Sequence, residues 1–145
     1  MGSVDEILNR KGRGVYTISP EATVFEAVQS MCARRVGALL VSIDASPSGI
    51  ISERDVLTRV ILARREPATT LVAEVMTREV VCVEPSTPAR QAMAVMTERR
   101  CRHLPVAHDG RVVGMLSIGD LVHWASREQE AEIKMLTDYV QGVYS

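Results

Sequence analysis

The sequence predicts an α/β fold made of two β-α-β-β-α units packed on each other, followed by one more helix at the C-terminus. Three observations carry that expectation. Sliding the 145-residue chain along itself by 65 positions lays Val15–Val60 on Val80–Ala125 without a gap, and twelve of these 46 pairs are identical. Random matching at ordinary composition gives only about three. Within each copy, strand-like apolar runs alternate with a stripe of helical period. The strands are also too short for one copy to bury both faces of its own sheet, so the two copies must share a core.

The elements follow in order. Residues 1–14 are a lead-in, where Asp5–Leu8 matches the later stretch Leu71–Met76 at an offset of 68, leaving copy one with three extra residues in Asn9–Gly14. Copy one occupies 15–62. Val15–Ile18 reads as a short strand closed by Pro20. Val24, Ala27, Val28 and Met31 then recur at helical spacing. Ala38–Ile43 is a buried strand, Asp44 belongs to a turn, and Gly49–Ser52 is the next strand before a second helix. Residues 63–79 are a linker, polar over Ala63–Thr70 and helical for one or two turns over Leu71–Met76. Copy two, 80–125, repeats the series with strand Val80–Val83, a helix through Ala89, Ala92, Met93 and Met96, and strands His103–Ala107 and Val112–Ser117. Residues 126–145 have no counterpart in copy one. After a polar start, Ile133, Leu136 and Val140, with Met135 and Tyr139 adjacent, form an apolar helical stripe. Such a helix either clamps a dimer or packs back on its own module.

Composition removes several functions. Lys and Arg number 17 against 18 Asp and Glu, a net charge of −1, which excludes nucleic-acid binding through bulk positive charge. Five aromatic residues cannot build a base-stacking platform. The longest apolar run, Val36–Val41, falls far short of the roughly 18 residues of a membrane span. The N-terminal residues carry neither a basic leader nor a myristoylation signal, so a cytoplasmic address is expected. Cys32, Cys82 and Cys101 cannot all pair, and they are expected as buried thiols acting as small hydrophobes. Cys101-Arg102-His103 is not a structural-zinc spacing, and no metal is expected. Gly12-Arg13-Gly14 precedes a strand, opposite to a dinucleotide fingerprint. No catalytic constellation stands out, so no enzyme is expected.

The polar residues that repeat are Ser52-x-x-Asp55 and Ser117-x-x-Asp120, each where a strand passes into a helix. Serine at the N-cap with an acid three places on forms a capping box. The box usually ends in Glu or Gln, whose longer side chain reaches back, so Asp in both copies suggests a second duty. A carboxylate beside free helix N–H groups can accept the two vicinal hydroxyls of a ribose.

The segments Val80–Pro85, Arg102–Val106 and Gly114–Asp120, with Gly37–Val41 and Gly49–Asp55 in copy one, resemble the cystathionine-β-synthase (CBS) domain. Two tandem copies resemble the pseudo-two-fold Bateman module. The likeness spans nearly the whole chain and is closest to stand-alone bacterial pairs with plant organellar relatives. It implies a cleft in each repeat for an adenosine ligand: AMP or NAD(H), with ATP, ADP or S-adenosylmethionine also fitting. Asp55 and Asp120 would hold the ribose diol, with Ser52 and Ser117 near ribose or phosphate. Thr17, Ile18, Cys82 and Val83 on the first strands, with Ala38, Leu39, His103 and Leu104 on the second, would wall the adenine. Pro105, Ile118 and Gly119 complete the matching segments. Arg102 and His103 match a phosphate-directed basic pair, and Arg54 is a further candidate because guanidinium grips phosphate bidentately. Copy one departs from the pattern, with Gly37-Ala38 replacing the basic pair and Leu40 replacing the proline. The implied function is a non-enzymatic regulatory module that senses energy or redox state, forms a homodimer and acts on a client protein. The alternative is a dimeric scaffold or redox-linked interaction protein in which the nucleotide is only structural; Cys82, near a cleft wall, keeps it open.

Overall fold

Ser3 opens the first helix, its hydroxyl accepting the Glu6 N–H at 3.3 Å, in the computed structural model, which describes residues 2–43 and 46–140. Asp44 of the expected turn and residues 141–145 of the tail lie outside the described residues, as do the side chains of Ser46 and Tyr139. Helix α1 (Val4–Lys11) turns Val4, Ile7 and Leu8 inward, the spacing of one helical face. In copy one, β1 (Thr17–Ile18) precedes α2 (Val24–Arg34), which starts at a capping box between Thr23 and Glu26. Strands β2 (Ala38–Ile43) and β3 (Ser46–Ser52) follow. Then α3 (Glu53–Val56) continues into a π-helical turn, Leu57–Ile61, marked by the Leu62 N–H donating to Leu57 O. After the short linker helix α4 (Val72–Val75), copy two contributes α5 (Ala89–Arg99), β4 (His103–His108), β5 (Arg111–Ser117) and α6 (Ile118–Val140).

The two sheets repeat each other's register. In copy one, β1 pairs parallel with β2, and β2 pairs antiparallel with β3, with Leu40 opposite Ile50 and Val41 opposite Gly49. In copy two, Pro105 stands opposite Met115 and Val106 opposite Gly114, and both hairpins carry a bulge one residue later. The expected α/β pair of repeats is therefore the observed fold.

One expected strand is not formed. Val80–Val83 reduces to a single parallel bridge between Val83 and Val106. In copy one the Leu40 N–H donates to Tyr16 O at 3.0 Å. Pro105 stands at the matching position of copy two and has no N–H to give. Copy one also stacks the Arg34 guanidinium 4.4 Å over the Tyr16 ring, where copy two has Val81.

The lead-ins cross over. Val4 N–H donates to Thr87 O, Asp5 N–H to Pro85 O, and Ala89 N–H to Gly2 O, all in copy two. Val72 N–H donates to Ala22 O, Ala73 N–H to Pro20 O, and Val24 N–H to Thr70 O, the same set on copy one. Each repeat thus has its core completed by the helix that precedes the other. One core joins Val4, Ile7 and Leu8 to Ala92, Met96, Leu104 and Leu116; the other joins Val72, Val75 and Met76 to Ala27, Met31, Leu39 and Ile51. This crossing explains the repeated glycine. A Cβ on Gly114 would lie 2.7 Å from a Leu8 methyl, and one on Gly49 would lie 2.6 Å from Thr77 O.

Two further expectations need correction. Cys32 and Cys82 are exposed and are not core thiols, while Cys101 is half-buried and packs against the copy-two core. Cys32 follows the inward Met31 by one residue, about 100° around the helix, and Cys82 lies between the half-buried Val81 and buried Val83. The expected C-terminal helix is present, but it does not start anew after copy two: α6 runs unbroken from Ile118 to Val140. No Gly or Pro interrupts Leu121–Val140, and its polar start is rich in strong helix formers. Its outer stripe does not pack back on the module: Ile133, Leu136 and Val140 are 62%, 61% and 82% exposed.

Candidate functional site

Both Ser-x-x-Asp segments close true capping boxes. Ser52 N–H donates to Asp55 Oδ2 at 3.0 Å and Asp55 N–H donates to Ser52 Oγ at 3.3 Å. In copy two the same pair of bonds measures 2.8 and 3.1 Å. Aspartate therefore reaches back far enough, and its shortness alone does not require a second duty.

The two carboxylates differ in what else they touch. Asp55 is buried, 7% exposed. Its Oδ2 also accepts the Ser52 hydroxyl at 3.2 Å, and its Oδ1 accepts the Thr77 hydroxyl at 3.1 Å, with Arg59 Nε 3.9 Å away. Both oxygens are engaged. Asp120 gives Oδ2 to the Ser117 N–H and to Lys11 Nζ at 2.6 Å. Its Oδ1 has no hydrogen-bond partner among the described residues, and the side chain is 23% exposed. Thr77 and Lys11 both belong to the crossed-over lead-ins. Because α1 is a turn longer than α4, the two differ in how they meet the strand. Thr77 pairs with Ile50 through its backbone, whereas Lys11 Nζ donates to Met115 O at 2.6 Å.

Some of the remaining candidates neighbour the copy-two cap: His103 stands opposite Ser117, and the Ile118 N–H donates to Arg102 O at 2.8 Å. His103 is half-buried, close to Gly37 of the other copy, where a Cβ would come within 3.2 Å of the imidazole. Burial pushes the His103 ring below its usual range, while Glu53 and Asp120 act to raise it and Arg102 and Lys11 to lower it. Arg54, Arg102, Thr17, Cys82 and Gly119 are exposed, and Ile18 and Ile118 half-buried. Ala38, Leu39, Val83, Leu104 and Pro105 are buried, leaving mainly their backbone to border a cleft. Lys11, Thr77 and Arg59 were not singled out by the sequence. Lys11 and Thr77 fall just past the matched lead-ins Asp5–Leu8 and Leu71–Met76, so the offset of 68 points to their neighbourhood and not to the residues themselves.

A groove of about 210 Å³ opens between α1 and α6 beside Asp120. Ile7, Arg10 and Lys11 line one wall; Asp120, His123, Trp124 and Arg127 line the other. No three His, Cys, Asp or Glu side chains converge as a metal site among the described residues. No helix among them is long and apolar enough to cross a membrane.

Comparison with known proteins agrees with this architecture. The CBS-domain family model matches residues 4–62 and 72–127, each span taking in its lead-in helix. The chain is 36% identical over 151 aligned residues to the mitochondrial CBS domain-containing protein CBSX3 of Arabidopsis thaliana, covering 98% of this chain and 73% of that protein. It spans only 24% of several longer Arabidopsis relatives. A structurally solved protein with CBS domains from Burkholderia ambifaria, named for signal transduction, superimposes with a TM-score of 0.86 at 41% identity, over 88% of this chain and 96% of that one. A CBS-domain protein of Pyrobaculum aerophilum, solved with AMP, superimposes with a TM-score of 0.73 at 25% identity, over 82% and 89% of the two chains. Two crossed-over β-α-β-β-α repeats, each with glycine under its partner's lead-in and a Ser-x-x-Asp cap, place this chain in the CBS-domain family as a tandem pair.

Proposed function

We propose that the chain is a non-catalytic regulatory module that binds an adenosine nucleotide, AMP or NAD(H) first and ATP next, and passes its bound state to a client protein. The observation that carries this reading is the difference between the two carboxylates. Asp120 offers an unengaged oxygen at a helix start, as a ribose diol requires, whereas Asp55 has both oxygens occupied. The copy-two cleft is therefore the principal site, with Arg102 and His103 on its approach. The AMP held by the Pyrobaculum protein supports the ligand class. The working form is a homodimer closed by the exposed stripe of α6.

A redox-linked scaffold fits less well. Partial burial pushes the Cys82 thiol up, so the thiolate needed for exchange is scarce at neutral pH.

Calorimetric titration with AMP and 2′-deoxy-AMP tests the reading. Charge-assisted bonds to two hydroxyls contribute roughly 1.5–3 kcal/mol each at best, so Asp120→Asn should weaken AMP binding about ten- to a hundred-fold and erase most discrimination against the deoxy ligand. Asp55→Asn should leave affinity near wild type and lower folding stability by about 1–3 kcal/mol, because one of its two engaged oxygens becomes an NH2 group that cannot accept. Equal discrimination in wild type and in Asp120→Asn returns Asp120 to a purely capping role and sinks the proposal.

A further inference from the structure

The groove between α1 and α6 exists because copy two departs from copy one. At the position of Trp124, copy one has Arg59, whose Nη1 donates to Val75 O and Met76 O at 3.1 Å and closes the gap against α4. In copy two the indole instead lies against Gly2 at the start of α1. Helix α1 also runs on to Lys11, so two walls remain with a space of about 210 Å³ between them. The charges around that space are unbalanced. Lys11 and Asp120 neutralise each other at 2.6 Å, but neither Arg10 nor Arg127 joins any ion pair among the described residues. His123 adds a further nitrogen donor or acceptor. Below this rim the lining is apolar, from Ile7 and the Trp124 ring.

We propose that this groove is a binding site for a phosphate monoester, separate from the ribose-binding cleft on the other side of the Lys11–Asp120 pair. Two guanidiniums from different helices grip the phosphate oxygens, and the indole covers the body of the ligand. The inference stands whether or not Asp120 binds ribose. It also makes Lys11 the wall shared by both sites, so phosphate in the groove competes with Asp120 for the same ammonium.

Trp124 is the only tryptophan of the chain, so its emission reports on the groove directly. The intact protein is titrated with inorganic phosphate, AMP and adenosine at constant ionic strength, which removes general screening. Phosphate and AMP should each change the emission saturably, and adenosine should not. The double variant Arg10→Gln/Arg127→Gln should lose at least tenfold in apparent affinity with an unchanged melting temperature. Asp120→Asn, which frees the Lys11 ammonium from its carboxylate partner, should retain the response to inorganic phosphate and shift it to lower phosphate concentration. Two results overturn the site: an emission indifferent to phosphate in the wild type, or a response to AMP alone that vanishes in Asp120→Asn. The second would make the groove an edge of the ribose cleft. A calorimetric loss of AMP binding in Asp120→Asn with a preserved phosphate signal separates the fate of the cleft from that of the groove.

Discussion

His103 is harder to protonate in the folded module than in the open chain, because burial removes more water from the ring than the carboxylates of Glu53 and Asp120 replace. Arg102 and Lys11, which also face it, push the same way as burial. The consequence for stability has a definite sign. Above about pH 6.5 the imidazole is neutral in both states and contributes no slope. Below it the unfolded chain takes up a proton that the folded one resists, so stability falls as pH drops from about 6.5 toward the depressed folded value. Urea unfolding between pH 7 and 5.5 should show that decline, and His103→Gln should flatten it. Identical slopes in the two proteins would remove His103 from the account. At this scale the serine and aspartate caps were legible because their bonds span three residues. Lys11 and Thr77 were not legible. Their carboxylate partners lie 109 and 22 residues away, and both stand where the register changes from 65 to 68. The cysteines misled for another reason: an apolar neighbourhood in sequence does not say on which side of a helix or strand a given residue falls.

At the scale of elements, the repeat fixed helix and strand order, while the crossing of the lead-ins lay beyond it. A sequence repeat states which segments are alike and not which copy each one touches. Pro105 shows the complementary limit, since one missing N–H dissolves a strand that apolar pattern predicts. The crossing can be tested between residues 106 positions apart. Gly114→Ala pushes a methyl into the Leu8 side chain, which is wholly buried and has no open direction to retreat. Overpacking of this kind costs about 1–3 kcal/mol, and Leu8→Ala alone costs about 2–5 kcal/mol through the cavity it leaves. The double variant should be less destabilised than the sum of the two, because each change relieves the other. Gly49→Ala should be worse than Gly114→Ala, since its methyl meets the Thr77 carbonyl, which is tied to Ile50 by paired backbone bonds. Strict additivity in the Leu8–Gly114 cycle would argue that α1 does not dock on copy two.

For the molecule as a whole, the paired α/β module was readable from the repeat, and the exposed end of α6 is what remains to be explained. The helix has 23 residues, about 35 Å at 1.5 Å per residue, and its far half carries Ile133, Leu136 and Val140 in water. These positions recur at intervals of three and four, the spacing of a two-helix seam. Burying each such side chain contributes roughly 1.5–3 kcal/mol, so pairing two copies of the stripe offers several side chains' worth of apolar burial against the cost of association. Leu57, Ile61, Leu62 and Val122 form a second exposed apolar set, on the second helices of the two repeats. If the α6 stripe is the clamp, light scattering on the intact chain should give about 32 kDa, twice 15.9 kDa. Leu136→Glu, or truncation after Arg127, should shift that mass toward 16 kDa on dilution while each monomer keeps its helical circular dichroism. Leu57→Glu should leave the clamp in place. An intact chain that stays monomeric at every concentration, or a dimer that dissociates with Leu57→Glu and survives Leu136→Glu, would take the role of clamp away from α6.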